Sequence, residues 1–151
     1  IQHLETFDEE AWRDIRAEAK RDAIKTTGIA PIIATDIDPS MVASAGRNAR
    51  TAGVEHLIEF STCDFADTPM PDAPGTVIMH GEYGLRLGDA EELAPTYARM
   101  GDFLKQRCAG WDGYVFTARE HAGRIGLKSA QRTPFDNAGI DCRLLRFELY
   151  T

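Results

Sequence analysis

Three apolar runs of the sequence end in residues whose side chains could bind or act on a ligand. The runs are PIIATD, LIEFSTCD and GTVIMH, and the groups at their ends are Asp36, Asp64 and the segment HGEY at residues 80–83. Short apolar runs of this kind are typical of buried strands. Because ligands of open α/β sheets bind at the carboxyl ends of the strands, the sequence predicts a site where these groups meet.

The first two strand ends carry carboxylates that suit a nucleoside. Asp36 could accept two hydrogen bonds from a ribose diol, and Ile37 beside it could lie against a purine face. Asp64 could accept a hydrogen bond from an adenine amino group, and the backbone N–H of Phe65 could donate one to the ring. Each carboxylate also has a structural alternative, since an Asp at such a position often caps a helix or forms a turn.

The third strand end contains His80 and Glu82, which are a conceivable acid/base pair. A hydrolase is disfavoured, because the sequence contains no GxSxG nucleophile motif. The three other histidines have no chemical partners nearby in the sequence, and we expect them on the surface: His3, His56 and His121.

Periodicity predicts the elements that must position these groups. A helix after Asp8 places Trp12 and Ile15 on one face, and a second helix opens at Pro39 and stops at Gly53. A third helix has a single apolar stripe, which consists of Leu93, Tyr97, Met100, Leu104 and Cys108. The pattern predicts three further strands, at GYVFT (113–117) and around 130–137 and 142–150. The last two are expected to form an antiparallel pair with a turn at Asn137-Ala138-Gly139. This alternation predicts an α/β fold with a mostly parallel sheet.

Composition narrows the class of protein. A chain of 151 residues with 43% apolar residues fits one domain, and no apolar stretch is long enough to span a membrane, so we expect a cytoplasmic protein. The net charge is −7, although residues 104–151 carry more Lys and Arg than Asp and Glu. The cysteines form no CxxC or Cys/His cluster, so no metal site is indicated. The sequence lacks an initiator Met, which suggests an excised or partial chain.

Several segments in the same order carry a family resemblance. DIDPSMVASAGRNARTAGVEHLIEF, YGLRLGD, GWDGYVFT, IGLKSAQRTPFDNAGIDCRLL and FELY are similar to bacterial ribosomal RNA guanine methyltransferases with a THUMP domain, often labelled adenine-specific DNA methylases. The resemblance implies a Rossmann-like, class I methyltransferase sheet that uses S-adenosylmethionine and acts on ribosomal RNA. Residues 1–151 would then be a partial catalytic domain, with Asp36, Ile37, Asp64 and Phe65 binding the adenosine part of the cofactor.

The sequence departs from this family in two places. The family's first strand and its glycine-rich loop, of the DPxCGSGT type, are absent from this chain, as is the THUMP domain. The family's NPPYG motif is replaced here by His80-Gly81-Glu82-Tyr83-Gly84. In NPPY enzymes, Asn and a proline carbonyl accept hydrogen bonds from the exocyclic amine of the target base, and Tyr stacks on the base.

The replaced motif leaves the catalytic role of residues 80–83 open. A neutral His80 and the Gly81 carbonyl could still accept from the amine, Glu82 could accept from guanine N–H groups or repel phosphates, and Tyr83 is kept. The two glycines predict a looser loop, and we expect impaired catalysis.

Two other classes of function were weighed. A nicotinamide-dependent dehydrogenase is disfavoured, because no GxGxxG motif follows the first strand. A non-catalytic RNA-binding or scaffold module remains the alternative, supported by the altered loop and by basic residues near the carboxyl end: Arg119, Arg124, Lys128, Arg132, Arg143 and Arg146.

Overall fold

The fold alternates helices and strands, as the periodicity predicts. The computed structural model describes residues 3–22, 28–82 and 90–150. Its helices are α1 (Glu9–Asp22), α2 (Pro39–Ala52) and α3 (Ala90–Arg107). Its strands are β1 (Ile32–Asp36), β2 (Ile58–Thr62), β3 (Thr76–His80), β4 (Asp112–Ala118), β5 (Gln131–Asn137) and β6 (Ile140–Glu148).

The strands form two separate sheets. β1 pairs with β2 in parallel, and a four-stranded sheet has the order β3-β4-β6-β5, in which β3 and β4 are parallel and β6 is antiparallel to both of its neighbours. The α/β fold and the antiparallel final pair are thus confirmed. β6 begins at Ile140, two residues earlier than predicted, because the turn at Ala138 (φ 53°) and Gly139 (φ 84°) is tight enough to pair Asn137 with Ile140.

The hydrophobic core lies between α3 and the four-stranded sheet. All five residues of the predicted α3 stripe are buried. They pack against Met79 of β3, Val115 of β4, and Leu145 and Phe147 of β6. The core therefore supports the end of β3, where the segment HGEY begins.

The two other helices contribute little to this core. Asp38 caps α2, because its side chain accepts a hydrogen bond of 2.7 Å from the Ser40 N–H, and Gly53 ends the helix in the left-handed conformation. Ala49 is the one buried residue of α2. The predicted apolar face of α1 is not buried, and Ile15 is 57% exposed, because none of the described elements covers it.

Candidate functional site

A cavity of about 700 Å³ lies between β1 and β3 and gathers most of the predicted site residues. In the described sheets, β1 pairs only with β2 and β3 only with β4, so each strand has an unpaired edge, and residues of both strands line the cavity. This is where the resemblance places the family's first strand. Six of the eight candidate residues line the cavity: Asp36, Ile37, Asp64, Phe65, His80 and Glu82.

Asp36 and Ile37 lie at the carboxyl end of β1. One carboxylate oxygen of Asp36, Oδ1, accepts a hydrogen bond of 2.8 Å from the Asp38 N–H, which fixes the turn into α2. Asp36 is exposed, and Ile37 is 69% exposed although it is apolar. Hydrogen bonds from Ser40 hold the pKa of Asp38 below its usual value, so the helix cap stays charged beside the site. Asp38 therefore supplies the cap and Asp36 the turn, and Asp36 still lines the cavity.

Asp64 takes part in both structural and site contacts at the end of β2. Its Oδ1 accepts hydrogen bonds from the Ala66 N–H (2.9 Å) and from the Arg99 guanidinium (2.8 Å), so it caps a short 3₁₀ turn at Phe65–Asp67. Arg99 donation, followed by the Ala66 N–H, lowers the pKa of Asp64. The turn-forming role anticipated as an alternative is thus observed, and Oδ1 is occupied by protein donors.

Arg99 is a cavity residue that the sequence analysis missed. Its guanidinium lies 5.0 Å from the centre of the Phe65 ring, and the same ring meets Phe103 edge-on at 5.9 Å. Arg99 therefore joins α3 to the end of β2 through both an ion pair and a cation–π contact. The one signal in the sequence is the position of Arg99 directly before Met100 of the α3 stripe, where a long side chain can reach a neighbouring element.

The start of the segment HGEY is fixed on the end of β3. The exposed His80 ends the strand, and its ring meets Phe116 of β4 edge-on at 5.4 Å. The buried Gly81 donates its N–H to the Phe116 carbonyl at 3.2 Å, and the Glu82 carbonyl accepts a hydrogen bond of 2.7 Å from the Tyr97 hydroxyl. Residues 81 and 82 are thus anchored, in contrast to the loose loop predicted from the glycines. Tyr83 lies outside the described residues.

His121 is not at the surface as predicted. It is 2% exposed, and its ring stacks on Tyr97 with centroids 5.1 Å apart and planes 14° apart. A 3₁₀ segment, Arg119–Ile125, carries it from the end of β4 into the core against α3. No local pattern predicts the burial of His121, because its partner ring, Tyr97, lies 24 positions earlier in the chain.

Three of the six basic residues near the carboxyl end form ion pairs within the described chain. Arg119 and Arg143 both contact Asp141, and Arg146 contacts Asp112 and Glu148. An ion pair lowers the net positive charge that such a surface presents to a phosphate backbone. This part of the chain therefore adds less to an RNA-binding surface than its composition suggests.

The part of the chain that the structure describes offers neither a metal site nor a membrane-spanning helix. They contain no group of three or more His, Cys, Asp or Glu side chains placed to hold a metal ion. None of the described helices combines the length and apolar character needed to cross a membrane.

The sequence profile of one protein family, described as UPF0020, RMKL-like, methyltransferase domain, matches residues 2–146. The match covers both sheets and all the elements that line the cavity. This chain belongs to the RMKL-like methyltransferase domain family. The family assignment agrees with the resemblance found in the sequence and with the α/β fold.

Two curated relatives carry RNA methyltransferase names. The ribosomal RNA large subunit methyltransferase K/L of Shewanella sp. strain W3-18-1 is 35% identical over 155 residues, covering 100% of this chain and 21% of that protein. The slr0064 protein of Synechocystis, whose name assigns it provisionally to the RNA methyltransferases, is 35% identical over 99% of this chain and 39% of its own length. The chain thus spans well under half the length of these relatives.

Solved structures share the fold. A predicted N6-adenine-specific DNA methylase of Listeria monocytogenes superposes with a TM-score of 0.69 at 29% identity, covering 93% of this chain and 36% of that one. SMU.472, solved with S-adenosylhomocysteine, superposes with a TM-score of 0.80 at 23% identity, covering 99% of this chain and 40% of that one. Both share the α/β fold of this chain, which covers well under half of each solved chain.

Proposed function

We propose that the chain is part of the catalytic domain of an RNA methyltransferase and that the carboxyl ends of β1, β2 and β3 bind S-adenosylmethionine beside a target base. The target would be an exocyclic base amine, most simply that of guanine in ribosomal RNA. One observation carries the proposal, namely that the predicted adenosine-binding residues and the start of the segment HGEY lie at the carboxyl ends of β1, β2 and β3 and all face the gap between the two sheets. The names of the relatives support the RNA substrate.

The residues at the ends of β1 and β2 fit the adenosine part of the cofactor. The Asp36 carboxylate uses Oδ1 for the turn, which leaves the second oxygen to accept from a ribose hydroxyl. The exposed Ile37 and the half-buried Phe65 offer apolar surface to a purine. Asp64 also keeps its second oxygen, for an adenine amino group, but it is the weaker candidate because the Arg99 guanidinium already compensates its charge.

The residues at the end of β3 would hold the target amine. The His80 imidazole, when neutral, and the Gly81 carbonyl are the acceptors that replace those of NPPY, and Tyr83 would stack on the base. When bound, the cofactor supplies the methyl group, and the protein contributes mainly by holding the amine lone pair in line with it. His80 and Glu82 line the same cavity as Asp36, as this role requires.

Calorimetry and single-turnover methylation in the full-length gene product test the proposal. We expect S-adenosylhomocysteine to bind, and labelled methyl groups to pass from S-adenosylmethionine to ribosomal RNA. Guanine specificity is read by digesting the RNA to nucleosides and identifying the methylated one by mass spectrometry. Methylation of another nucleoside would contradict guanine while leaving the methyltransferase assignment intact.

A non-catalytic RNA-binding role is the second candidate, and the altered motif at residues 80–83 favours it. The two functions differ in what they require of the cavity, because a scaffold needs no cofactor. RNA binding without any binding of S-adenosylhomocysteine would support the scaffold and contradict methyl transfer. Binding of the cofactor product together with RNA methylation would exclude the scaffold.

A further inference from the structure

Residues 81 and 82 rest on a buried polar cluster, which consists of Tyr97, Thr117 and His121. These side chains are 1%, 0% and 2% exposed and lie within an otherwise apolar core. A buried polar group is costly unless it is hydrogen-bonded, so the partners of this cluster indicate what it is for. One partner is the Glu82 carbonyl, which belongs to the candidate catalytic segment.

The hydrogen bonds of the cluster have one consistent direction. The Tyr97 hydroxyl donates its single proton to the Glu82 carbonyl at 2.7 Å. Thr117 Oγ1 lies 2.5 Å from the same phenol oxygen and must therefore be the donor to it. The chain of bonds runs from β4 through α3 to the loop, and it fixes the carbonyl of Glu82 relative to two elements of the core.

The backbone at Gly81 lies directly against the phenol of Tyr97. A Cβ at Gly81 would lie 2.6 Å from the phenol oxygen and 2.9 Å from two ring carbons. The Tyr97 ring is itself fixed in the core, because the His121 ring stacks on it with the two ring centroids 5.1 Å apart. Gly81 is therefore required by close approach, and Tyr97 occupies the space that a side chain at position 81 would need.

We propose that Tyr97 is the positioning residue of the segment HGEY, and that its hydroxyl replaces the rigidity that prolines give to an NPPY motif. The inference rests on the proposed methyl transfer and extends it to a residue outside the motif. A loop with glycine loses more backbone entropy when it is fixed, so an external anchor is needed where acceptors must be held in place. Displacement of an acceptor by about 1 Å can cost up to about a hundred-fold in rate.

Removing the phenol hydroxyl tests the proposal. In full-length Tyr97→Phe we expect single-turnover methylation to fall about ten-fold or more, with unchanged affinity for S-adenosylhomocysteine. Hydrogen exchange at the Gly81 amide, which donates to the Phe116 carbonyl, should become about ten-fold faster, because residues 81 and 82 lose the Tyr97 anchor. Tyr114→Phe is the matched control, since Tyr114 lies on β4 but its side chain points away from the α3 core.

A double variant separates positioning from stability. Tyr97→Phe leaves the buried Thr117 hydroxyl without its partner, and adding Thr117→Val removes that hydroxyl. We expect Tyr97→Phe/Thr117→Val to recover much of the thermal stability but neither the methylation rate nor the slow exchange of the Gly81 amide. Recovery of the rate together with stability would overturn the proposal, because Tyr97 would then act only through the fold.

The same contact predicts the result of restoring the family motif. The triple change His80→Asn, Gly81→Pro and Glu82→Pro adds a ring where the Tyr97 phenol lies, so it should release the anchor and show no faster methylation than His80→Asn alone. A triple variant that methylates faster than His80→Asn alone would contradict the proposal, because the Tyr97 anchor would then be dispensable. If the wild-type protein methylates no RNA, the proposed function fails, and the exchange data for Tyr97→Phe still decide whether Tyr97 anchors the loop.

Discussion

The two sides of the cavity are built in different ways. The β3–β6 unit, which comprises residues 76–82 and 90–150, contains every buried residue of the core cluster. The β1–β2 unit, which comprises residues 31–67 with β1, α2, β2 and the 3₁₀ turn at Phe65–Asp67, buries only Ala49. Candidate adenosine-binding residues thus stand on a lightly packed unit, and the segment HGEY stands on a closely packed one.

This difference indicates what each unit needs. Residues 80–82 are held by contacts within their own unit, so their geometry should change little when the other unit moves. Asp36 and Ile37 depend on a two-stranded sheet, and an isolated pair of strands is marginally stable. The β1–β2 unit is joined to α3 by the Arg99–Asp64 ion pair, by the Arg107–Ala66 hydrogen bond and by the Phe65–Phe103 ring contact.

The largest expected effect is on stability when the core of the β3–β6 unit is truncated. Leu104 is fully buried, so Leu104→Ala should lower the free energy of unfolding by about 2–5 kcal/mol. Ile32→Ala is the matched control in β1, where the side chain is 43% exposed, and should cost less than about 1.5 kcal/mol. Urea denaturation followed by circular dichroism measures both. Equal losses would mean that the two units share one core.

Chemical labelling of cysteines gives the next largest contrast. Cys108, the residue directly after α3, is fully buried. Burial raises the pKa of its thiol from 9.0 to about 11, so the reactive thiolate is about a hundred-fold scarcer. Cys63, at the end of β2, is half-buried. We expect iodoacetamide at pH 8 to modify Cys63 at least about a hundred-fold faster than Cys108, as read by mass spectrometry. Similar rates would show that the β3–β6 unit opens readily.

Cofactor binding should depend unequally on the two carboxylates of the β1–β2 unit. Loss of a hydrogen bond to a charged group typically costs about 1.5–3 kcal/mol, so Asp36→Ala should weaken S-adenosylhomocysteine binding by about ten-fold or more in the full-length protein. Asp64→Ala should have a smaller effect, because the adenine would keep its apolar packing against Ile37 and Phe65. An unchanged affinity in Asp36→Ala by calorimetry would remove Asp36 from the site.

The sequence predicted the parts of the molecule that local patterns encode. The α3 stripe, the Asp38 cap, the Gly53 stop and the turn before Ile140 depend on residues close in the chain, and they are found where expected. Tyr97 was recognised only as an apolar stripe residue. Its hydroxyl bonds to positions 15 residues before it and 20 residues after it, and no local pattern encodes such contacts.

The glycine at position 81 shows a second limit. Read alone, Gly81 indicates freedom of the backbone, which led to the prediction of a loose loop. In the fold the missing Cβ allows the Tyr97 phenol to approach the backbone, so the same residue permits an anchor. The predicted burial of the apolar face of α1 is wrong for a related reason. An apolar stripe predicts burial, but it does not identify the element that would cover it.

The smallest expected effect is a pH dependence in the link between the two units. Arg99 lowers the pKa of Asp64, and a carboxylate with a lowered pKa stabilises the fold above its unfolded value near pH 4. This contribution is lost as pH falls below about 4 and through the lower folded value. Because the Arg99 side chain is half exposed, we expect only about 0.2–1 kcal/mol, most visible at low salt.

Two variants of α3 isolate this link. Arg99→Gln should be less stable than wild type at pH 6, with a difference that shrinks between pH 4 and pH 2 as Asp64 becomes protonated. Arg107→Gln is the control, because Arg107 donates to the neutral Ala66 carbonyl on the same turn, and its effect should stay constant over that range. Urea midpoints at low salt measure both. A difference for Arg99→Gln that does not change with pH would show that Arg99 holds the β1–β2 unit through the Phe65 ring rather than through the charge of Asp64.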